Sequence, residues 1–501
     1  PQYRPTRSPS STWPMHGQNA QARVWPMLKV RHLVAGALLA LVWSQTWYIR
    51  TIFPKAFFSV PREMPSWYIR GGESSASPPV TCTPIRSEYV ADPQAYETNP
   101  STSQHAQIAD ACEDLRMSDT LGAVFLSCDP GRKEWNVFMG PTANPASRGA
   151  LWVLDYKTAP DAAPVLVPME GYPDSYDFHP HGMSLFVYDE NHARMFVANE
   201  RAAASTIEVL DLERSHEWRA QYVRTLQHPV GTHMPNALHA VGPHELYVSN
   251  SKLVSHRPPP RAAYEAAIAA QLGKFLAPWL YVALTYRPLF HIFSFLDDLL
   301  GLGYVSHVPF TDDGDVTHSI FAQRISFANG VVVSGEQLYV AATGAAGIYV
   351  YDRHKKAASN RRTYVPLPFL PDNLALTVPS EHRTSPGVLA AGHPSLPDMH
   401  LYALYSTPAR RAPSWVAEVW YNASSSTEHD EAGVPFPSDR AMPRLPYGWH
   451  VQTLFQSSGR HAPDVSAATT ALWDPTPQGH GAFFVTSLYG PSPLLCKGMY
   501  S

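Results

Sequence analysis

The sequence predicts an all-β chain: a six-bladed β-propeller with one helical insertion and a hydrophobic N-terminal helix. Three observations predict it. Charged residues are only 16% of the 501 residues, against ~25% in ordinary domains, and the 48 prolines are about twice the usual share. That balance favours strands and turns over long helices, and 45% apolar residues are ample for a core. Short apolar runs recur, some of them about 50 residues apart, which is a blade period. One stretch only, 257–313, reads as helix instead. The repeat is irregular, and a β-sandwich is the competing architecture on pattern alone.

From the N-terminus, residues 1–29 are polar and rich in Pro, Ser and Arg, as expected of a disordered cytoplasmic tail. Leu33 to Ile49 (LVAGALLALVWSQTWYI) carries no charge and is just long enough to span a bilayer. Arg23, Lys29 and Arg31 precede it, so a transmembrane signal anchor over 30–49 with a cytoplasmic N-terminus is expected. A cleaved signal peptide is the rival, with Ser44-Gln45-Thr46 as a weak cleavage site. The first reading makes a single-pass membrane protein with a lumenal or extracellular propeller; the second makes a secreted one. Residues 50–80 read as a stalk and 81–501 as the propeller. The acceptor sequon Asn422-Ala423-Ser424 suits such a compartment.

Within the propeller, inner-strand candidates are AVFLSC (Ala123–Cys128), MFVANE (Met195–Glu200), LYVSN (Leu246–Asn250), LYVAAT (Leu338–Thr343), VLAAGHP (Val388–Pro394) and FFVTSL (Phe483–Leu488). Outer candidates close on Asp: WVLDY at Trp152–Tyr156, EVLDL at Glu208–Leu212 and YVYDR at Tyr349–Arg353. The insertion 257–313 is interrupted at Pro278 and Pro288 and lacks a run long enough to span a membrane. It reads as a re-entrant or interfacial lid, or else as a helical pair packed on the propeller. The four cysteines are even in number. Cys82 opens the folded region and Cys496 stands near its end, so a bridge between them would close the domain in an oxidising compartment. A net charge of −4 gives no footing for nucleic acid.

Polar fragments punctuate these strands: CEDL (Cys112–Leu115), HPHG (His179–Gly182), MPNA (Met234–Ala237), SFANG (Ser326–Gly330), LPDN (Leu370–Asn373) and AGHPS (Ala391–Ser395). Alone, each is an ordinary turn former, and a lone His at a strand end is more often structural than catalytic. His192, in YDENHAR, reads as a solvated hairpin residue. In a propeller, however, such loops converge on the central channel, where residues far apart in sequence can share one ion.

In this order the fragments resemble the paraoxonase/arylesterase family of calcium-dependent lactonases. The matching pieces are Glu113-Asp114-Leu115, the HPHG turn, Asn236 ahead of Ala240-Val241-Gly242-Pro243, Phe327-Ala328-Asn329-Gly330, Asp372-Asn373, Gly392-His393-Pro394 and the final Cys496. The resemblance implies a channel calcium held by Glu113, Asn236, Asn329, Asp372 and Asn373. Hard oxygen donors with two carboxylates suit Ca²⁺, and no zinc-type Cys/His spacing occurs. It implies His181 as the base that activates water, and His393 as a pocket-wall residue with a positioning or catalytic part. His179 has no counterpart in that chemistry and reads as structural.

Two departures stand out. The family's second histidine is replaced by Glu200, which could orient His181 as a triad carboxylate does but could not relay a proton in the same way. The family's structural calcium would use Asp114, the Met183 carbonyl and a further Asp, which here is Ala237. A second ion is therefore expected to be weak or absent, with a Cys112–Cys128 bridge as a possible substitute. The expected function is calcium-dependent hydrolysis of hydrophobic lactones and aryl or alkyl esters, with membrane contact through the N-terminal helix and the insertion. The alternatives are a non-catalytic calcium-stabilised propeller that binds lipid or protein, and a sugar-lactonase or strictosidine-synthase-like enzyme.

Overall fold

The computed structural model describes residues 64, 68–69, 81–87, 109–146, 148–159, 162–257, 261–285, 287–355, 361–377, 386–405, 411–422, 444–459, 467–474, 481–490 and 492–497. The chain divides into two compact units, 1–51 and 52–501, and all described residues belong to the second. The expected tail and anchor lie outside the described residues, as does most of the stalk. The single-pass membrane placement is overturned: no helix among the described residues is long and apolar enough to cross a membrane.

Six sheets of four or five strands follow one another along the chain, antiparallel except for the short pairing of Met169–Glu170 with Trp218–Leu226. One edge strand of each is innermost, and strands are counted outward from it: β1 (Cys112–Ser118), β2 (Pro180–Val187), β3 (Pro235–Gly242), β4 (Ala328–Ser334), β5 (Leu370–Leu376) and β6 (Ala468–Asp474). Each packs against the next, and β6 packs against β1, so the six form a closed ring. This is a six-bladed β-propeller. The last blade takes its outer strand, Thr81–Pro84, from the start of the propeller, and that strand pairs with Leu494–Lys497. There Cys82 stands opposite Cys496 and is bonded to it.

The apolar runs expected innermost are instead the second strand of every blade. The reason is burial. A second strand has a neighbour on each edge and a blade on each face, so Ala123–Cys128, Val388–His393 and Ala482–Ser487 are buried throughout. Such strands need no polar face and read as uninterrupted apolar sequence. The innermost strands face the channel and carry the polar residues. The core lies between blades: Phe125, Met195, Leu210 and Trp218 fill the first gap, and Phe196, Val209, Leu246 and Val308 the second.

The insertion sits in the third blade, between strands Glu245–Asn250 and Gly303–Pro309, and forms α1 (Arg261–Leu272), α2 (Ala277–Thr285) and α3 (Arg287–Leu300). Pro278 and Pro288 stand in the first turns of α2 and α3, where a missing N–H leaves no hydrogen bond unmade. The helical part therefore ends at Leu300, and the remainder of 257–313 returns to the sheet. Tyr264, Ala267 and Ile268 of α1 pack on Leu253 and Val254. Asp297 of α3 accepts hydrogen bonds from Leu253 N (2.8 Å) and Val254 N (2.6 Å), and Asp298 pairs with Lys252 at 2.7 Å.

Candidate active site

Each innermost strand begins with a slip in its pairing register: between Cys112 and Asp114, Pro180 and Met183, Pro235 and Leu238, Ala328 and Val331, Pro371 and Leu374, and Ala468 and Ala471. A bulge inserts residues that have no partner on the neighbouring strand and re-aims their side chains. The residues it frees here are Glu113, His181, Asn236, Asn329, Asp372-Asn373 and Thr469-Thr470. Glycines admit the close approach this needs. A Cβ on Gly182 would lie 2.1 Å from the Asn236 carbonyl oxygen, and one on Gly330 would lie 2.4 Å from Leu374 N.

The five candidate ligands are all buried. Asn373 Nδ2 donates to Glu113 Oε1 at 2.6 Å. Asn329 Nδ2 donates to Thr343 Oγ1 (3.2 Å), which in turn donates to the Pro371 carbonyl (2.6 Å). Asp372 Oδ2 is paired with His393 Nε2 at 2.7 Å. What remains is a set of bare oxygens. Glu113 Oε2, Asn236 Oδ1, Asn329 Oδ1 and Asn373 Oδ1 are buried and accept no hydrogen bond. A buried acceptor left so costs about 1–3 kcal/mol. Burial, and then the charges of Asp114 and Asp372, hold the Glu113 carboxyl well above the usual carboxylate range. One bare carboxylate oxygen and three bare amide oxygens form a donor set suited to a hard cation. Among the described residues, no group of three or more His, Cys, Asp or Glu is placed to hold a metal, so the amides are indispensable to any such site.

His181 is buried with its ring against Phe138, centroids 4.8 Å apart. Its Nδ1 lies 3.3 Å from Glu113 Oε1 but makes no hydrogen bond, so its bond to the Asn236 backbone uses Nε2. Burial, with the nearby Arg132 charge, pushes its pKa well below the ordinary histidine value. His181 is thus neutral at neutral pH, protonated on Nε2, with an open lone pair on Nδ1. Glu200 does not take the expected orienting place. Its Oε2 accepts from Ser205 Oγ at 2.9 Å, and Arg257 donates to the same hydroxyl at 2.7 Å; the carboxylate beside His181 is that of Glu113. His179 bonds Asp129 (2.9 Å) and the Pro145 carbonyl (3.1 Å), using both ring nitrogens. His192 is exposed and paired with Asp189.

Sequence reasoning missed three residues. Arg132, in the buried turn Pro130–Lys133, donates to the Pro180 carbonyl at 2.7 Å and leaves its Nε without a partner. Thr470, at the sixth bulge, donates to Asp114 Oδ1 at 3.0 Å. Arg116 bonds both Asp114 and the Met183 carbonyl. In sequence these are a basic turn, a strand threonine and a solvated arginine. The structural-calcium set does not fit an ion here, because protein donors already fill it.

The insertion adjoins this end of the channel. Lys252, paired with Asp298 of α3, lies over the Phe327 ring at 5.0 Å. Phe327 in turn faces Phe138, with centroids 6.4 Å apart.

Residues 138–258, which carry His181, Glu200 and Asn236, match a family model described as arylesterase. Over 213 residues the chain is 24% identical to serum paraoxonase/arylesterase 1 of Rattus norvegicus, covering 42% of this chain and 49% of that one. Over 257 residues it is 22% identical to serum paraoxonase/lactonase 3 of Homo sapiens, covering 51% and 60%. The chain is thus distantly similar to the paraoxonases. It spans about half of the length of the curated paraoxonases it matches. Among solved structures, a luciferin-regenerating enzyme aligns over 78% of this chain and 94% of that chain, at 10% identity and a TM-score of 0.38. So loose a superposition adds nothing to the strand topology above.

Proposed function

We propose that this paraoxonase-like chain hydrolyses esters or lactones in its central channel, with a calcium ion seated on Glu113, Asn236, Asn329, Asp372 and Asn373. The observation that carries the reading is the set of four buried oxygens, delivered by bulges of the innermost strands, that accept no hydrogen bond. When bound, the ion supplies polarisation of the substrate carbonyl and charge for the oxygen that becomes negative. The chain's own residues do the rest. His181 Nδ1, held unprotonated by the bond that Nε2 makes to Asn236, takes a proton from the attacking water. It returns that proton to the departing oxygen, so an ester yields acid and alcohol and a lactone yields a hydroxy acid. His393, fixed by Asp372, positions the substrate at the wall. Phe138 and Phe327 offer an apolar surface that suits hydrophobic substrates, and α1–α3 serve as the lid beside them.

The test is turnover of an aliphatic lactone and of phenyl acetate with and without chelator. Chelation should abolish both activities and added Ca²⁺ restore them. Asn329→Ala should raise the calcium required, and His181→Gln should lower kcat by about 10²–10⁴. Turnover indifferent to chelation and to Asn329→Ala rejects the mechanism. Calcium binding without any turnover would favour the non-catalytic propeller, the reading that the separation of Glu200 from His181 supports.

A further inference from the structure

We propose that the guanidinium of Arg116 permanently occupies the place that the family resemblance assigns to a structural calcium, so that the chain binds one divalent ion and not two. The inference rests on the resemblance behind the hydrolase reading, but not on turnover.

Three contacts place the group. Arg116 Nη2 lies 2.9 Å from Asp114 Oδ2, Nε donates to the Met183 carbonyl at 2.7 Å, and Nη1 reaches the Leu115 carbonyl at 3.3 Å. The carboxylate and carbonyl that would ligate an ion are thereby both engaged by one planar fork. Asp114 has nothing left to offer. A carboxylate has about four lone-pair positions, and Leu115 N and Thr470 Oγ1 take Oδ1 while Met183 N and Arg116 take Oδ2. Its neighbour Glu113, set apart by the register slip between Cys112 and Asp114, keeps Oε2 bare. Two adjacent carboxylates on one strand thus meet opposite fates.

Charge follows the same logic. Ala237 stands where the resemblance expects a further carboxylate; it is fully buried, its N–H donates to the Ser249 hydroxyl and its carbonyl accepts from it. One carboxylate removed and one positive charge supplied leave the site balanced at a single charge pair. A divalent ion added there would meet Arg116 at close range without the further carboxylate that Ala237 replaces. The guanidinium also does the mechanical work of a structural ion, because it ties β1 of the first blade to β2 of the second.

The experiment counts calcium per chain by equilibrium dialysis, on the full chain carrying Arg116→Ala with Ala237→Asp and on the wild type. One additional ion per chain in the double variant is expected, and equal numbers overturn the proposal. Should the double variant not fold, the otherwise unaltered chain with Asn329→Ala and Asp372→Ala decides. With its channel disabled it should hold no calcium, and an ion retained at millimolar calcium overturns the proposal. Failure of the hydrolase reading shows separately, as missing turnover or chelator-indifferent turnover, and leaves the difference between the two ion counts unaffected.

Discussion

At Glu200 a carboxylate stands where the resemblance expects a histidine, yet it serves a different cluster. Burial pushes its pKa up to about 7 against the opposing pull of Arg257, and Ser205 is its hydrogen-bond partner. Near neutral pH it is therefore partly protonated, and an amide of the same shape keeps the oxygen that Ser205 needs. Glu200→Gln should change kcat/KM for a lactone by less than about tenfold, whereas loss of a true triad carboxylate costs on the order of 10⁴. A loss of that larger size in steady-state assays would restore Glu200 to the catalytic machinery. Glu113, Asn236, Asn329, Asp372 and Asn373 were singled out by the family resemblance, since alone each reads as an ordinary turn former; the structure places them at the register slips of the innermost strands. Arg132 and Arg116 were not singled out. Nothing in Gly-Arg-Lys or Asp-Leu-Arg signals that a cation will be buried against carbonyls brought from another blade.

At the level of elements, the sequence showed one apolar run per blade and so the right number of blades, but placed those runs one strand too far inward. Apolar content reports burial on both faces, and in this fold that condition belongs to the second strand. The bulges that build the site leave no periodic trace, because each occupies only two or three residues. The insertion was legible as helix, and its docking turns on one titrating group. Burial, reinforced by Asp298, raises Asp297 from 3.8 to about 7, while Lys252 and the N–H groups of Val254 and Leu253 oppose the shift. Between those pH values the folded chain holds a proton that the unfolded chain has released. The stability this contributes is complete below pH 3.8 and is lost as pH rises through about 7. Asp297→Asn keeps an oxygen for Leu253 and Val254 but never ionises. Its margin over the wild type should therefore grow by about 3 kcal/mol between pH 5 and pH 8, read as the difference in urea midpoints. A margin independent of pH would remove Asp297 from the docking account.

For the whole molecule, the decisive feature is that the ring closes with strands from both ends of the propeller. The two disulfides act at different reaches. Cys82–Cys496 links residues 414 apart across the closing blade, and Cys112–Cys128 links residues 16 apart within the first. In the chain-entropy model, loops of those lengths correspond to roughly 6 and 3 kcal/mol. The long link also holds the blade whose innermost strand, β6, sends Thr470 to the Glu113 carbonyl and to Asp114. Opening that blade should therefore cost stability and loosen the ion site together. Cys82→Ser with Cys496→Ser should lower the urea midpoint more than Cys112→Ser with Cys128→Ser does. Removing the short link, one residue from Glu113, should reduce calcium affinity out of proportion to its effect on stability. If removing the long link left the midpoint unchanged, the pairing of Thr81–Pro84 with Leu494–Lys497 alone would suffice to close the ring. The argument from loop length would then fail for this fold, because the blades would already hold one another in order before the last pair of strands met.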